Sequence, residues 1–219
     1  MLKTKFNYFD GIDEFNMTLP DGEPICFRPI NSNDRTILEK GMSSLSFQSR
    51  LFRFFSPIIK LSDEQLRYFT EVDQDNHVAW IAVSQNQPEQ TGVGSARFIR
   101  SPYQPNLAEF AIVVIDGYQK RGIGVILMSL LYKLAMIKKI EILRASILLE
   151  NTVMSHWLTR LGAVGEYDNG NYWMNLNVSN DLSILTTLSR QRLSLYIKKI
   201  EAAVAKGNSV NNKSILNIY

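Results

Sequence analysis

Six residues, QKRGIG at Gln119–Gly124, combine two glycines with two cations. They sit between an apolar run, AEFAIVVID, and a second one, VILMSLLYKLAMIKK. A helix beginning here would present unpaired main-chain N–H groups and a partial positive charge, a ready site for an anion. Gly122 and Gly124 would let the backbone approach a diphosphate with no Cβ in the way. Lys120 and Arg121 would add charge. The spacing is neither GxxxxGK[ST] nor GxGxxG, so the P-loop and the dinucleotide fingerprint are both absent. Taken alone, it describes an ordinary strand-to-helix turn equally well. Ten residues earlier, Glu109 is a carboxylate in an otherwise apolar stretch. Burial there would raise its pKa toward the range of a general base. At a strand end it would instead face water or pair with an arginine.

Those residues need a scaffold, and 219 residues can build one large domain, or one domain with extensions. Hydrophobic residues make up 45% of the chain, enough for a substantial core. The net charge is +3, with Lys and Arg scattered rather than striped, which does not point to nucleic acid. Cys26 is the single cysteine, so an internal disulfide is impossible and no metal site is expected. The first residues, MLKTKFNYFDGIDEF, lack the apolar core of a secretory signal. No apolar run reaches about 18 residues, the length that spans a bilayer. The expectation is a soluble cytoplasmic protein with no membrane partner.

Periodicity supplies the elements. PICFRPI (24–30) predicts a strand, and RTILEKGMSSL a helix after the caps at Asn31–Asp34. SFQSRLFRFFSPIIK predicts a second helix ended by Pro57. SDEQLRYFTEV carries a capping box, Ser62 with Gln65 three residues on. Strands follow at 77–86, 91–100 and 106–116, with a turn at NQPEQ. The unbroken apolar character of the last of them predicts burial on both faces. A helix runs from the QKRGIG junction to about Lys139, then a strand covers 140–149. Asn151 caps the helix TVMSHWLTRLG, which stops at Gly162. AVGEYDNGNYWMNLNV predicts a hairpin turning at Asp168–Gly170. The order implies a mixed α/β layer around one core. Past Asn180, Leu182, Leu185, Leu193, Ile197, Ile200 and Val204 mark one helical face, for an appended helix or a homodimer contact. The last residues, NSVNNKSILNIY, are expected to fray. The division is an extension (1–23), the main domain (24–179) and a helical tail (180–219).

Gln119, Lys120, Arg121, Gly122, Ile123 and Gly124 match the Q/R-x-x-G-x-G/A motif, and the chain resembles the GNAT N-acetyltransferases from about Pro24 to Val178. The strand before the motif, the capped helix at Asn151 and the closing LGAVGEY hairpin fit that family's ending. The resemblance implies an α/β (α+β) GNAT fold, a central mixed and mostly antiparallel sheet flanked by helices. It also implies acetyl-CoA as acyl donor, its pyrophosphate on the backbone of this loop. The pantetheine arm would pair with the strand backbone at Val113, Val114 and Ile115, with the thioester carbonyl polarised by the N–H of Val113 or Val114. Asn151 has two readings, helix cap and cofactor contact. The N-terminal half, with Thr70, Val72, Asp73 and His77, looks like the bacterial Pat-type protein lysine acetyltransferases. In those relatives a glutamate at the position of Glu109 is the base, and such a base is useful. A lysine with a pKa near 10.4 is neutral in only about one of a few thousand copies at pH 7. The family's usual tyrosine acid falls on Leu158. His156 and Ser155 sit at other helical angles. Cys26 reads as a strand residue rather than a nucleophile, because direct transfer needs no acyl-enzyme.

Three functions remain open: acetylation of protein lysines, acetylation of a small amine such as a polyamine or an antibiotic, and acyl-CoA binding without catalysis.

Overall fold

The computed structural model describes residues 14–216 except 57, 59, 87–90, 169, 180 and 182–186, with side chains to 206. Most of the NQPEQ turn, Pro57, Asn169, Leu182 and Leu185 thus lie outside the described residues. Eight strands form one sheet in the order β1-β2-β3-β4-β5-β6-β8-β7. They are β1 (Phe15–Thr18), β2 (Pro24–Pro29), β3 (His77–Ser84), β4 (Thr91–Arg100), β5 (Leu107–Val114), β6 (Ile142–Ser146), β7 (Val164–Asp168) and β8 (Asn171–Asn177). Every neighbouring pair is antiparallel except β5 with β6. The hairpin closes with Asp168 opposite Asn171 and Gly170 at φ +78.

Three short helices, α1 (Arg35–Ser43), α2 (Phe47–Phe54) and α3 (Asp63–Thr70), precede β3. The predicted capping box is realised in full: Ser62 Oγ accepts from Gln65 N–H, and Gln65 Oε1 accepts from Ser62 N–H. The second helix ends before Pro57, at Phe55 in the left-handed region with φ 56. Helix α4 (Ile123–Ile137) lies on the opposite face and is apolar nearly all round, with ten buried residues. It can be so because α6 (Leu188–Leu216) covers its outer side. Gly94 on β4 lets α4 approach closely. A Cβ there would lie 3.2 Å from Leu127 and 3.3 Å from Ile123.

Leu193, Ile197, Ile200 and Val204 are buried in the same core as α4. The tail's apolar face is therefore spent within its own chain, on α4 and β1. The backbone stays helical to Leu216, through most of the stretch expected to fray. Ile197→Ala should lower stability by about 2–5 kcal/mol, the usual cost of emptying a fully buried isoleucine site. The thermal midpoint reads this directly, and an unmoved midpoint would detach α6 from the core.

Two readings of the sequence need correction. Strand β1 lies inside the stretch taken as an extension and pairs along its length with β2. Four residues, with Phe15 and Met17 pointing inward, are too few for a clear alternation. Strand β5 is not buried on both faces. Ala108 and Phe110 pack toward α4, but Glu109 is exposed and Ala111–Val114 are only half-buried. At Ala108–Phe110 only the face toward α4 is packed, and Glu109, although still paired with β6, points to the other face.

Candidate active site

Strands β5 and β6 pair in parallel at Leu107–Ile142, Ala108–Leu143 and Glu109–Arg144, and no further. Beyond Glu109 the two strands part, while β5 stays paired with β4 as far as Val114 opposite Gly94. Ile115 N–H donates to Val93 O at 3.1 Å. Alternation along an antiparallel ladder therefore turns the main-chain groups of Val113 and Ile115 toward β4. Those of Ile112 and Val114 face the gap left by β6. Of the two N–H groups considered from sequence, the one at Val114 faces the open side. Ile115 is engaged at both ends of its peptide, since its carbonyl accepts from Tyr118 N–H at 2.9 Å.

The chain next turns through Asp116–Tyr118 into the glycine-rich junction. Asp116 accepts from Ser46 N–H (2.8 Å), Ser46 Oγ (2.9 Å) and Ser49 Oγ (3.0 Å), which fixes the start of α2 beside the loop. Burial works against this charge, but the hydrogen bonds prevail and hold its pKa below the ordinary aspartate value. Gln119 folds back, its side-chain amide donating to Val114 O at 3.1 Å. Lys120 (φ 61) and Gly122 (φ +97) are both left-handed, and this curls the loop under the helix. Gly122 caps α4 with no side-chain hydrogen bond. The N–H groups of Val125 and Ile126 return to Gly122 O, both at 3.1 Å. The Ile123 side chain is fully buried and anchors the first turn.

Gly124 is informative in another way. A Cβ added there would meet nothing closer than a Val114 methyl at 4.0 Å. Packing within the protein does not demand a glycine at this helical position, where glycine is a poor helix former. A ligand approaching the backbone would.

Arg121 has a different place from the one expected. Its guanidinium is bound by Asp21 and Glu23, both at 2.6 Å, and lies over the Tyr118 ring. The two carboxylates balance its charge and raise its pKa. Arg121 is thus a strut between the β1–β2 turn and the loop. Lys120 is exposed and forms no ion pair among the described residues.

Glu109 is exposed, not buried as its apolar neighbours in sequence suggest. Its position is what matters. It is the last residue of β5 paired with β6, at the apex where the strands part. It shares one sheet face with Ile99 and Arg144, the residues opposite it. Arg144 is itself engaged by Glu166 (2.9 Å) and Asp168 (3.3 Å).

Asn151 caps α5 (Thr152–Arg160), its side-chain oxygen accepting from Met154 N–H at 3.2 Å. Leu158 is fully buried in the main core, so the position of the family tyrosine carries no hydroxyl. His156 is exposed. Cys26 is half-buried in β2, and burial raises its pKa, which disfavours the thiolate.

On the same face as Glu109, α1–α3 roof an apolar cavity of about 530 Å³, counted with its open mouth. Val113, Ile115, Ser95, Leu38, Met42 and Phe69 are among its walls, with Arg53 and Arg97. Sequence reasoning missed this pair of cations. Arg97 is 5% exposed. It donates to Phe69 O (3.3 Å), contacts His77 Nε2 (3.1 Å) and lies over the Phe69 ring. His77, the first residue of β3, therefore adjoins the cavity through Arg97. Burial, and next the Arg97 charge, push its pKa down to about 4. The unfolded value is about 6.5. The unfolded chain thus binds the proton that the folded one refuses, and stability falls as pH drops from about 6.5 toward 4. His77→Gln, which can still accept from Arg97, should flatten the thermal midpoint across that window. An unchanged slope would place the acid sensitivity elsewhere.

The chain matches the Acetyltransferase (GNAT) family over residues 43–163, more than half its length, and it belongs to that family of acyltransferases. Acetyltransferase Pat of Mycolicibacterium smegmatis is 32% identical over 143 residues, 65% of this chain and 42% of that protein. This chain therefore spans about two fifths of that relative's length. Acetyltransferase PA5475 of Pseudomonas aeruginosa is 26% identical over 156 residues, 71% of this chain and 83% of that protein. The GNAT domain of S. lividans PAT superposes with a TM-score of 0.67 at 24% identity, covering 75% of this chain and 96% of that one. Salmonella typhimurium yncA, a putative acetyltransferase solved with acetyl-CoA, superposes with a TM-score of 0.56 at 14% identity, covering 72% and 95%. The fold is the GNAT fold, as the resemblance implied. Among the described residues, no helix is long and apolar enough to cross a membrane.

Proposed function

We propose that this chain transfers acetyl from acetyl-CoA to lysine ε-amines of proteins by direct attack. The observation that carries this reading is the parting of β5 and β6 immediately after Glu109, followed by the start of α4, whose cap Gly122 offers no side-chain hydrogen bond. The donor supplies an activated acyl group as a thioester. The N–H groups at the start of α4, with Gly122 and Gly124 clearing the approach, would hold its pyrophosphate. Lys120 adds a nearby positive charge, while Arg121 holds the loop in shape. The Val114 N–H, facing the gap, would donate to the thioester oxygen and stabilise the charge that develops on it. Val113 and Ile115 contribute side chains to the adjoining cavity.

The bond changes are simple. The amine nitrogen forms the amide C–N bond, the C–S bond breaks and Glu109 takes the amine proton. With leucine in the tyrosine position, the sulfur leaves as thiolate, acceptable for a thiol of pKa near 8.5. Asn151 shapes the helix beside the gap, and its amide nitrogen is left to reach the donor.

Two observations favour protein lysine over a polyamine. One is the likeness to the M. smegmatis Pat. The other is the cationic cavity, because Arg53 and Arg97 would repel a polycation. Thiol release from acetyl-CoA tests the choice. A lysine-containing protein mixture should support turnover and spermidine should not. Turnover with spermidine alone would reverse the assignment. Binding of acetyl-CoA with no turnover on any amine would leave a non-catalytic module.

A further inference from the structure

Arg97 and Arg53 are two cations in one apolar cavity, and neither meets a carboxylate among the described residues. Arg97 is almost wholly buried, and its Nε has no hydrogen-bond partner among the described residues. Its other contacts are a carbonyl, a ring and a histidine, none of them anionic. Arg53 is half-buried and rests on the Phe54 ring. Burial lowers the pKa of both, and Arg53 is the second cause of the shift at Arg97, so the two charges repel each other. The values, about 10 and about 9, leave both charged at neutral pH. A buried charge is ordinarily paired, because its desolvation is costly. None of the described residues supplies that partner. An arginine fork matches a planar carboxylate in geometry as well as charge.

We propose that this cavity seats a carboxylate between Arg97 and Arg53, carried into it by a substrate. The inference rests on the acyl-transfer reading for the identity of that substrate. The carboxylate has two possible carriers. One is the free end of a dicarboxylic acyl chain on CoA, such as succinyl, whose thioester would lie on β5 beside Val113. The other is an acidic side chain next to the lysine of the acceptor. Transfer of such an acyl chain follows the same step: the C–S bond breaks, the amide C–N bond forms and the proton goes to Glu109.

The two sources separate in one set of measurements on the full chain. Calorimetry compares the dissociation constants of succinyl-CoA and butyryl-CoA, which differ in the terminal carboxylate. Turnover with acetyl-CoA compares peptides containing Lys-Glu and Lys-Gln. The expectation is a preference of at least tenfold for the acidic member in one comparison. Succinyl over butyryl assigns the carboxylate to the donor, and Lys-Glu over Lys-Gln assigns it to the acceptor. The ratio should fall to near one in Arg53→Met, which keeps the apolar stem, and again in Arg97→Met. Ratios near one in the wild type for both comparisons would overturn the proposal. So would a preference that survives in both variants. The donor comparison reads binding alone, so failure of acetyl transfer does not decide it, and the wild-type ratios stand even if one variant does not fold.

Discussion

Glu109→Gln is expected to lower kcat/KM for lysine acetylation by about 10²–10⁴-fold near neutral pH, the usual contribution of a positioned general base. The deficit should shrink as pH approaches 10, because the acceptor amine then sheds its proton unaided. The variant should fold normally. Glu109 is exposed, and a surface change of this kind usually stays within about 0.5 kcal/mol. Unchanged thermal stability with lost activity would separate chemistry from folding. Full activity in the variant from pH 6 to 9 would remove Glu109 from the mechanism. Its role rests on the place of the carboxylate, at the last rung before the strands divide and on the face that holds the cavity.

Gly124→Val should raise KM for acetyl-CoA at least tenfold, equivalent to about 1.4 kcal/mol of binding, without weakening the fold. The open space around a Cβ at this position gives the second half of that expectation. A helical site that gains a side chain in place of glycine does not lose intrinsic helix propensity. Gly124→Ala should fall between, since it adds one carbon to the phosphate approach rather than three. KM is the diagnostic quantity, because the pyrophosphate is remote from the reacting atoms. A Gly124→Val protein that binds acetyl-CoA as before would dissociate the loop from the donor. One that unfolds would mean that the glycine serves packing.

Much of the scaffold was legible because its signals are local. Strand β4 falls on Thr91–Arg100 as read, and the Ser62–Gln65 box announces α3 from two residues three apart. The α6 face was readable from its spacing, although spacing could not say whether α4 or another molecule would cover it. What failed was nonlocal. Apolar neighbours in sequence suggest burial of Glu109, but its exposure depends on what covers that face of the sheet, which nothing along the chain announces. Arg121 looked like a phosphate ligand because it stands beside one glycine. Its partners, Asp21 and Glu23, are some hundred residues earlier and become visible only once β2 is placed in the sheet. The contact of His77 with Arg97 likewise depends on β3 lying beside β4, a register that neither residue announces alone. The motif is legible as a glycine-rich turn that opens a helix, and family likeness rather than spacing is what points to an anion it would hold.

In the proposed reaction a lysine nitrogen attacks an acyl group held where β5 and β6 part. The most direct test incubates the protein with isotopically labelled acetyl-CoA and a bacterial lysate, then maps the label by mass spectrometry. The expected result is new label on lysine ε-amines with the wild-type protein, and its near absence with Glu109→Gln at neutral pH. Label found only on small amines, or none above the background without enzyme, would contradict the account.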